Sequence, residues 1–160
     1  MSSNDALSEL QFTVFGFVSR APGEVYEAVA DPAQLSRYFT TGGAVGRLDA
    51  GTTVHWDFAD FPGAFPVEVI ASVATERIVI RWGGEALNIV DGAAHTEVEF
   101  AFRAIDEGSR TEVRITERSW RPTAVGAEAA FGNCMGWTGM LAALKVWLEH
   151  GIVLRDGFYR

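Results

Sequence analysis

The chain has 160 residues, of which 48% are hydrophobic and 21% charged, the usual balance of a protein with a sizeable core. Its formal net charge of −8 argues against nucleic acid and anionic membranes as partners, because both bind basic surfaces. Cys134 is the only cysteine, which excludes an intramolecular disulfide and fits a reducing compartment, so we predict a cytoplasmic protein.

The N-terminal residues 1–9 are polar and acidic, and they lack the basic and apolar regions of a signal peptide. We predict that they form a flexible segment ahead of a single domain over residues 10–160. The uncharged stretch 129–144 is shorter than the roughly 20 residues that a membrane helix needs. No membrane association is therefore expected.

A strand and two short helices are predicted at the start of this domain. Residues 10–19 favour a strand, and residues 22–30 favour a helix with Pro22 in its first turn. Asp31 and the proline after it end this helix and begin the next. Helical spacing relates the apolar side chains of the two helices, which are Val25, Tyr26, Val29, Leu35, Tyr38 and Phe39.

Over residues 44–120 the apolar period changes to two, which is typical of antiparallel strands with one buried face. With the strand at 10–19 and a short one at 44–48, we expect about seven strands. One long helix follows, predicted over residues 131–151. Strands grouped ahead of a terminal helix predict an α+β fold, in which a curved antiparallel sheet packs on that helix.

The long helix carries an apolar stripe about 120° wide, as expected for a surface that faces a core. The stripe is formed by Trp137, Met140, Leu141, Leu144, Trp147 and Leu148. Asn133 falls inside it, and a buried amide needs a hydrogen-bond partner. Two interpretations stay open. Either Asn133 contacts Glu117 or shares a ligand with it, or it caps a helix that begins later than residue 131.

Gly132, Gly136 and Gly139 lie within about 60° of one another beside this stripe. Inside a helix, each glycine costs about 1 kcal/mol relative to alanine. We therefore expect a close neighbour along this bare side of the helix. That neighbour is a short helix, a strand, a ligand or a second subunit.

Four ordered stretches resemble a known family. They are 21-APGEVYEAVADPAQLSRYF-39, 65-FPVEVIASVATERIVIRW-82, 110-RTEVRITERSW-120, and Gly136-Trp137 followed by Leu141, Leu144 and Leu148. With the element order, they resemble the START-like (SRPBCC) superfamily, and within it the bacterial single-domain type related to the activator of the heat-shock protein 90 ATPase. The resemblance implies the helix-grip fold of the birch-pollen allergen, with six to seven strands wrapped on the C-terminal helix.

The resemblance also implies a cavity between sheet and helix that holds lipids, hormones, polyketides or other apolar ligands. The residues that we assign to it are Trp56, Phe58, Val67, Trp82, Phe100, Phe102, Glu117, Asn133, Trp137, Met140 and Leu141. The co-chaperone that gives the family its name carries an additional N-terminal domain, for which this chain has no room.

Glu117 is the one candidate for acid–base chemistry. It continues the inward parity of Val113 and Ile115, so one interpretation is a buried acid, base or ligand anchor. The other places it at the wet end of the sheet, paired with Arg118 or Arg121.

No sequence motif for a metal, a cofactor or a serine nucleophile is present. No two histidines lie at metal-ligand spacing. His55 lies opposite Trp56 in the strand pattern and His95 opposite Val98, so we expect both to face solvent. His150 ends the long helix, where a partly cationic side chain suits the helix dipole. Cys134 is expected to be a small buried hydrophobe.

Three functions are compatible with these features. Binding of a small apolar or amphipathic ligand needs no catalytic constellation and is favoured. The second is a cyclase- or hydrolase-like enzyme in which Glu117 is the acid or base and Asn133 orients the substrate. The third is a co-chaperone-like module that binds a heat-shock protein 90 homologue and stimulates its ATPase. A homodimer is also left open.

Overall fold

The computed structural model describes residues 6–160, so part of the predicted N-terminal segment, residues 1–5, lies outside the described residues. Seven strands and three α-helices occur within the described range. Their bounds are β1 Leu10–Val18, α1 Pro22–Ala30, α2 Pro32–Tyr38, β2 Gly43–Val45, β3 Thr53–Phe58, β4 Phe61–Val73, β5 Arg77–Trp82, β6 Thr96–Ile105, β7 Arg110–Trp120 and α3 Ala124–His150.

The strands form one antiparallel sheet in the order β1-β7-β6-β5-β4-β3-β2. From β2 onward each strand lies beside the next one in sequence, while β1 closes the far edge by pairing with β7. The helices follow β1 and β7, so they are segregated from the run of strands. The predicted α+β helix-grip architecture is therefore confirmed.

The sheet has a buried face and a wet face, as the period of two predicts. In β3, Val54 and Trp56 are buried while His55 between them is exposed. On the wet face, Arg81 of β5 lies 3.4 Å from a carboxylate oxygen of Glu97 in β6. The inner face and the three helices enclose the core.

Capping residues define the ends of the helices. The Asp31 carboxylate accepts from the backbone N–H of Ala33 at 2.9 Å and so begins α2. The Thr123 hydroxyl oxygen accepts from the backbone N–H of Gly126 at 3.1 Å, which begins α3 at Ala124, earlier than the predicted residue 131. α3 ends before Gly151, whose φ of 67° is a left-handed conformation that glycine adopts without strain.

The predicted apolar stripe of α3 faces the sheet. Trp137, Met140, Leu141 and Leu144 are buried in the core, and Trp147 and Leu148 pack partly buried against it. None of the helices in residues 6–160 has the length and hydropathy needed to cross a membrane.

Candidate functional site

The Glu117 carboxylate is the polar centre of the site. Its Oε1 accepts from Trp82 Nε1 at 2.9 Å and from Thr96 Oγ1 at 2.8 Å, and its Oε2 accepts from Trp137 Nε1 at 2.8 Å. Asn133 Nδ2 donates to both oxygens, at 3.2 and 3.1 Å. The residue is 0% exposed. These five residues are called the Glu117 cluster below.

The cluster is assembled from three strands and the long helix. Trp82 ends β5 opposite Thr96 of β6, and Glu117 in β7 lies opposite Val98 of β6, so sheet register brings three of its members together. Asn133, four residues before Trp137, lies on the same side of α3. The predicted meeting of Asn133 and Glu117 is confirmed, and Asn133 is not a cap.

The alternative position of Glu117, at the wet end of the sheet, is wrong. Arg121 instead donates to the carbonyl oxygens of Ala86 and Ile89 and to the Asp91 carboxylate. Within residues 6–160, no cation forms an ion pair with Glu117. Its negative charge is balanced by neutral donors alone, and hydrogen bonds of this kind are what make a buried carboxylate tolerable.

The contacts use the acceptor capacity of the carboxylate. Two carboxylate oxygens offer about four lone-pair sites, and five donor contacts converge on them. The geometry therefore favours a positioning role, in which Glu117 fixes the Trp82 and Trp137 indoles and the Asn133 amide.

A cavity of about 280 Å³ opens between α3, the sheet and the C-terminal segment. Its lining residues are Phe39, Phe58, Phe61, Trp82, Gly132, Asn133, Met135, Gly136, Trp137, Arg155 and Tyr159. Most of them are aromatic, so the cavity offers a mainly apolar surface.

Aromatic stacking fixes the inner wall of this cavity. The Phe39 ring stacks on Trp137 with centroids 5.5 Å apart, and Trp82 lies 5.2 Å from Trp137 at a tilted angle. Phe58 meets Phe39 edge to face at 5.1 Å. Because Trp82 and Trp137 are also tied to Glu117, their rings are held both by packing and by hydrogen bonds.

A second cleft, of about 350 Å³, lies on the other side of Trp82 and Asn133. It is lined by Phe65, Trp82, Gly83, Gly84, Glu85, Asn88, Thr96, Trp120, Ala129 and Asn133. Trp82 and Asn133 line both openings, so they form the ridge between them.

The structure brings only some of the predicted ligand-binding residues to the cavity. Phe58, Trp82, Asn133 and Trp137 line it, and Glu117 lies behind them. The others are packed into the core instead: Trp56, Val67, Phe100, Phe102, Met140 and Leu141. Their assignment to the cavity is corrected, because their own side chains fill the space that a larger cavity would occupy.

Seven lining residues were not assigned to the cavity from the sequence, namely Gly132, Gly136 and five with side chains. Phe39 directly follows α2 and Phe61 begins β4, while Met135 lies on α3 outside the apolar stripe. Arg155 and Tyr159 belong to the C-terminal segment, which has no helix or strand after His150. An apolar period of 2 or 3.6 residues identifies the buried face of a single strand or helix. It does not indicate where a loop or terminal segment packs against the rest of the protein.

The bare side of α3 has a different neighbour at each end. A Cβ added to Gly132 or Gly136 would meet nothing within 4 Å, so neither a short helix nor a strand is the close neighbour at these positions, and a ligand or a second subunit stays a prediction. These two glycines leave space that belongs to the cavity. At Gly139 a close neighbour is present, but it is the C-terminal segment and none of the four neighbours that we expected, because the hydroxyl of Tyr159 lies where an added Cβ would be.

The C-terminal segment is fastened by a buried ion pair. Arg155 donates from Nη1 and Nη2 to the two carboxylate oxygens of Asp60, at 2.5 and 3.0 Å. Hydrogen bonding to this guanidinium lowers the pKa of the Asp60 carboxyl below its ordinary value of 3.8. Arg155 also lies over the Tyr159 ring at 4.6 Å and over Phe58 at 5.8 Å. The pair thus holds one wall of the cavity.

The remaining candidates do not line the cavity. His55 and His95 are exposed, as predicted, and His150 at the end of α3 is exposed as well. Cys134 is half-buried and not the buried hydrophobe that we expected. In the part of the chain that the structure describes, no group of three His, Cys, Asp or Glu residues could hold a metal ion.

Comparison with known proteins agrees with this architecture. The sequence model of a family described as Activator of Hsp90 ATPase homolog 1-like protein matches residues 20–149. No curated protein matches the chain.

Solved structures with low sequence identity share the fold. A protein from Staphylococcus saprophyticus is 21% identical with a TM-score of 0.74, and the match covers 91% of this chain and 96% of that one. A Mesorhizobium loti protein is 19% identical with a TM-score of 0.71, covering 90% and 100%. The Aha1 dimer from Colwellia psychrerythraea, solved in solution, is 21% identical with a TM-score of 0.69, covering 89% and 98%.

Proposed function

Because the chain belongs to the Activator of Hsp90 ATPase homolog 1-like family, we propose that it uses the cavity between α3 and the sheet to bind a small apolar or amphipathic ligand. The observation that carries the proposal is the cavity itself, which stays open beside a core that is otherwise filled. Apolar walls with few polar groups are characteristic of small-molecule sites. A volume of about 280 Å³ suits a small ligand.

The rigidity of the walls supports this function. Trp82 and Trp137 are hydrogen-bonded to Glu117, so neither indole has to be ordered when a ligand arrives. Ordering a side chain on binding costs about 0.5–1.5 kcal/mol. A preformed aromatic wall avoids that loss, which favours binding even for a small contact area.

The experiment begins with native mass spectrometry of the purified protein, which detects a small molecule that co-purifies. Calorimetric titration with 2-naphthol, an aromatic probe, then compares the wild type with Gly136→Leu. We expect the leucine to fill the cavity and weaken binding at least about tenfold, a change of about 1.4 kcal/mol. Glu128→Leu, on an exposed position of α3 that does not line the cavity, is the control and keeps the affinity. Unchanged affinity in Gly136→Leu would refute the proposal.

The enzyme alternative finds less support in the geometry. Glu117 as an acid or base would have to exchange a proton with a substrate, yet its carboxylate is 0% exposed and bonded to four side chains. A general acid or base has to reach the proton that it transfers, directly or through one water. Ligand binding makes no such demand.

A second copy of this chain is the macromolecular partner that the surface favours. Four exposed apolar side chains, Phe61, Phe131, Met135 and Phe158, occur on the elements that form the cavity. Clusters of exposed apolar residues mark interaction sites, and a structural relative from Colwellia is a dimer. We extend homodimer formation to this protein as a proposal. Binding to a heat-shock protein 90 homologue and a cytoplasmic location stay predictions.

A further inference from the structure

We infer that the ligand of this cavity donates a hydrogen bond, from a hydroxyl or an N–H group on an aromatic body, to the side-chain oxygen of Asn133. The inference rests on the proposed function and specifies the class of ligand. It follows from the orientation of one amide.

The Glu117 cluster fixes which end of the Asn133 amide faces the cavity. A carboxylate only accepts hydrogen bonds, so Nδ2, the donor, has to face Glu117, and it does so at 3.2 and 3.1 Å. Oδ1 therefore points away from the carboxylate. No group within residues 6–160 donates a hydrogen bond to Oδ1, and Asn133 lines both the cavity and the second cleft.

The other polar side chains of the cavity are either hydrogen-bonded or shielded from solvent. The indole N–H groups of Trp82 and Trp137 donate to Glu117, so these residues present ring surface to a ligand and no free donor. The Arg155 guanidinium is paired with Asp60. The Tyr159 hydroxyl has no hydrogen-bond partner within residues 6–160, but it is buried against Gly139 and shielded from solvent. Among the side chains that line the cavity, the Asn133 oxygen is thus the acceptor that is neither hydrogen-bonded within residues 6–160 nor shielded from solvent.

The position of the Glu117 carboxylate also favours a ligand that donates a hydrogen bond. The Glu117 carboxylate lies directly behind the amide, so the Asn133 oxygen projects from a negative centre. A ligand donor is attracted to such an oxygen, whereas a ligand carboxylate is repelled. We therefore expect neutral aromatic alcohols, phenols or amines with a free N–H to bind, and aromatic carboxylates to be excluded.

The test compares two probes, 2-naphthol and 2-methoxynaphthalene, in the wild type and in Asn133→Leu. The ether keeps the oxygen but loses the donor. One neutral hydrogen bond contributes about 1 kcal/mol, so the ratio of the two dissociation constants is expected to change about fivefold between the proteins. The two probes also differ in size and solvation, but these differences are the same in both proteins. They cancel when the ratio of dissociation constants in the wild type is compared with the ratio in Asn133→Leu.

Three outcomes would overturn the inference. An unchanged ratio in Asn133→Leu would mean that the hydroxyl donates elsewhere or to water. Tight binding of 2-naphthoate would contradict the expected exclusion of anions. Failure of both neutral probes to bind the wild type would refute the proposed function and this inference with it. Equal binding of both probes in both proteins would refute the inference alone.

Asn133→Leu removes a hydrogen-bond donor from Glu117, and the variant could fail to fold for that reason. A second measurement therefore uses the wild-type protein. The side-chain carbonyl carbon of Asn133 is observable by NMR. We expect its resonance to move downfield with 2-naphthol and clearly less with the ether, because only the former donates to this carbonyl. Equal movement with both would contradict the inference.

Discussion

At the level of single residues, the Glu117 carboxylate joins the sheet to α3 without a cation. Its donors come from β5, β6 and α3, so one side chain from β7 links four elements. Hydrogen bonds to an ionised group are roughly twice as strong as neutral ones. The cluster therefore replaces an ion pair in fixing where α3 lies on the sheet.

Glu117→Gln tests this role with almost no change of shape. The amide introduces a donating NH₂ group among donors, so at least one buried N–H or O–H group loses its acceptor. We expect the free energy of unfolding, measured in urea, to fall by about 2–4 kcal/mol.

Glu97→Gln is the matched control for this substitution. Glu97 forms an ion pair with Arg81 on the wet face of the sheet, so its loss is expected to change stability by less than about 1 kcal/mol. A Glu117→Gln protein that is as stable as this control would contradict the role assigned to the cluster.

At the level of elements, the glycines of α3 divide its bare side into an open part and a covered part. Gly132→Ala removes a helix glycine where a Cβ meets nothing within 4 Å, so we expect stability to rise by up to about 1 kcal/mol. Gly139→Ala gives the same gain in helix propensity but places its Cβ on the Tyr159 hydroxyl. We expect it to be no more stable than the wild type. Equal gains in urea unfolding for both variants would refute the contact with Tyr159.

The C-terminal segment behaves as an element of its own because the Asp60–Arg155 pair fastens it. The folded pKa of Asp60 is lowered below the ordinary 3.8, so the folded state binds this proton less tightly than the unfolded state does. The stabilisation is therefore complete above about pH 4 and is lost as pH falls through the lowered pKa.

Asp60→Asn, which leaves Arg155 without its anion, makes this pH dependence measurable. At pH 7 we expect it to lower the free energy of unfolding by about 2–3 kcal/mol, because the pair is largely buried. Below pH 4 the difference from the wild type is expected to shrink, since Asp60 in the wild type also becomes neutral. Thermal melts between pH 7 and pH 2.5 check both statements. A difference that grows with acid would contradict them.

At the level of the whole molecule, local patterns predict most of the fold and part of the site. The alternation of buried and exposed residues in β3, β6 and β7 identifies the inner face of the sheet. Glu117 has the same parity as the buried Val113 and Ile115 of β7, which places its side chain on that inner face. The position of Asn133 around the axis of α3, within the apolar stripe, directs its side chain towards this inner face. These predictions succeed because each depends on one periodic element packing against another.

The cavity is less predictable because its extent depends on packing between distant segments. Arg155 and Asp60 are separated by 95 positions in the sequence, and no periodic pattern links them. Whether an inward aromatic such as Trp56 or Phe100 lines a cavity or fills it depends on its neighbours' volumes. The parity of a residue in a strand determines which face of the sheet its side chain is on. It does not determine whether the neighbouring side chains leave a cavity next to it.

The exposed apolar residues around the cavity lead to the last prediction, which concerns assembly. Phe131 is 73% exposed and lies one helical turn from Met135, but it does not line the cavity. If the chain forms a homodimer through this surface, Phe131→Ser should weaken self-association at least about tenfold, as expected for an aromatic in an interface. Phe15→Ser, at an exposed position of β1, is the control and should leave it unchanged. Sedimentation velocity over a range of protein concentrations measures both variants. A wild-type protein that stays monomeric at every concentration, or equal effects of the two substitutions, would exclude this surface as the dimer interface.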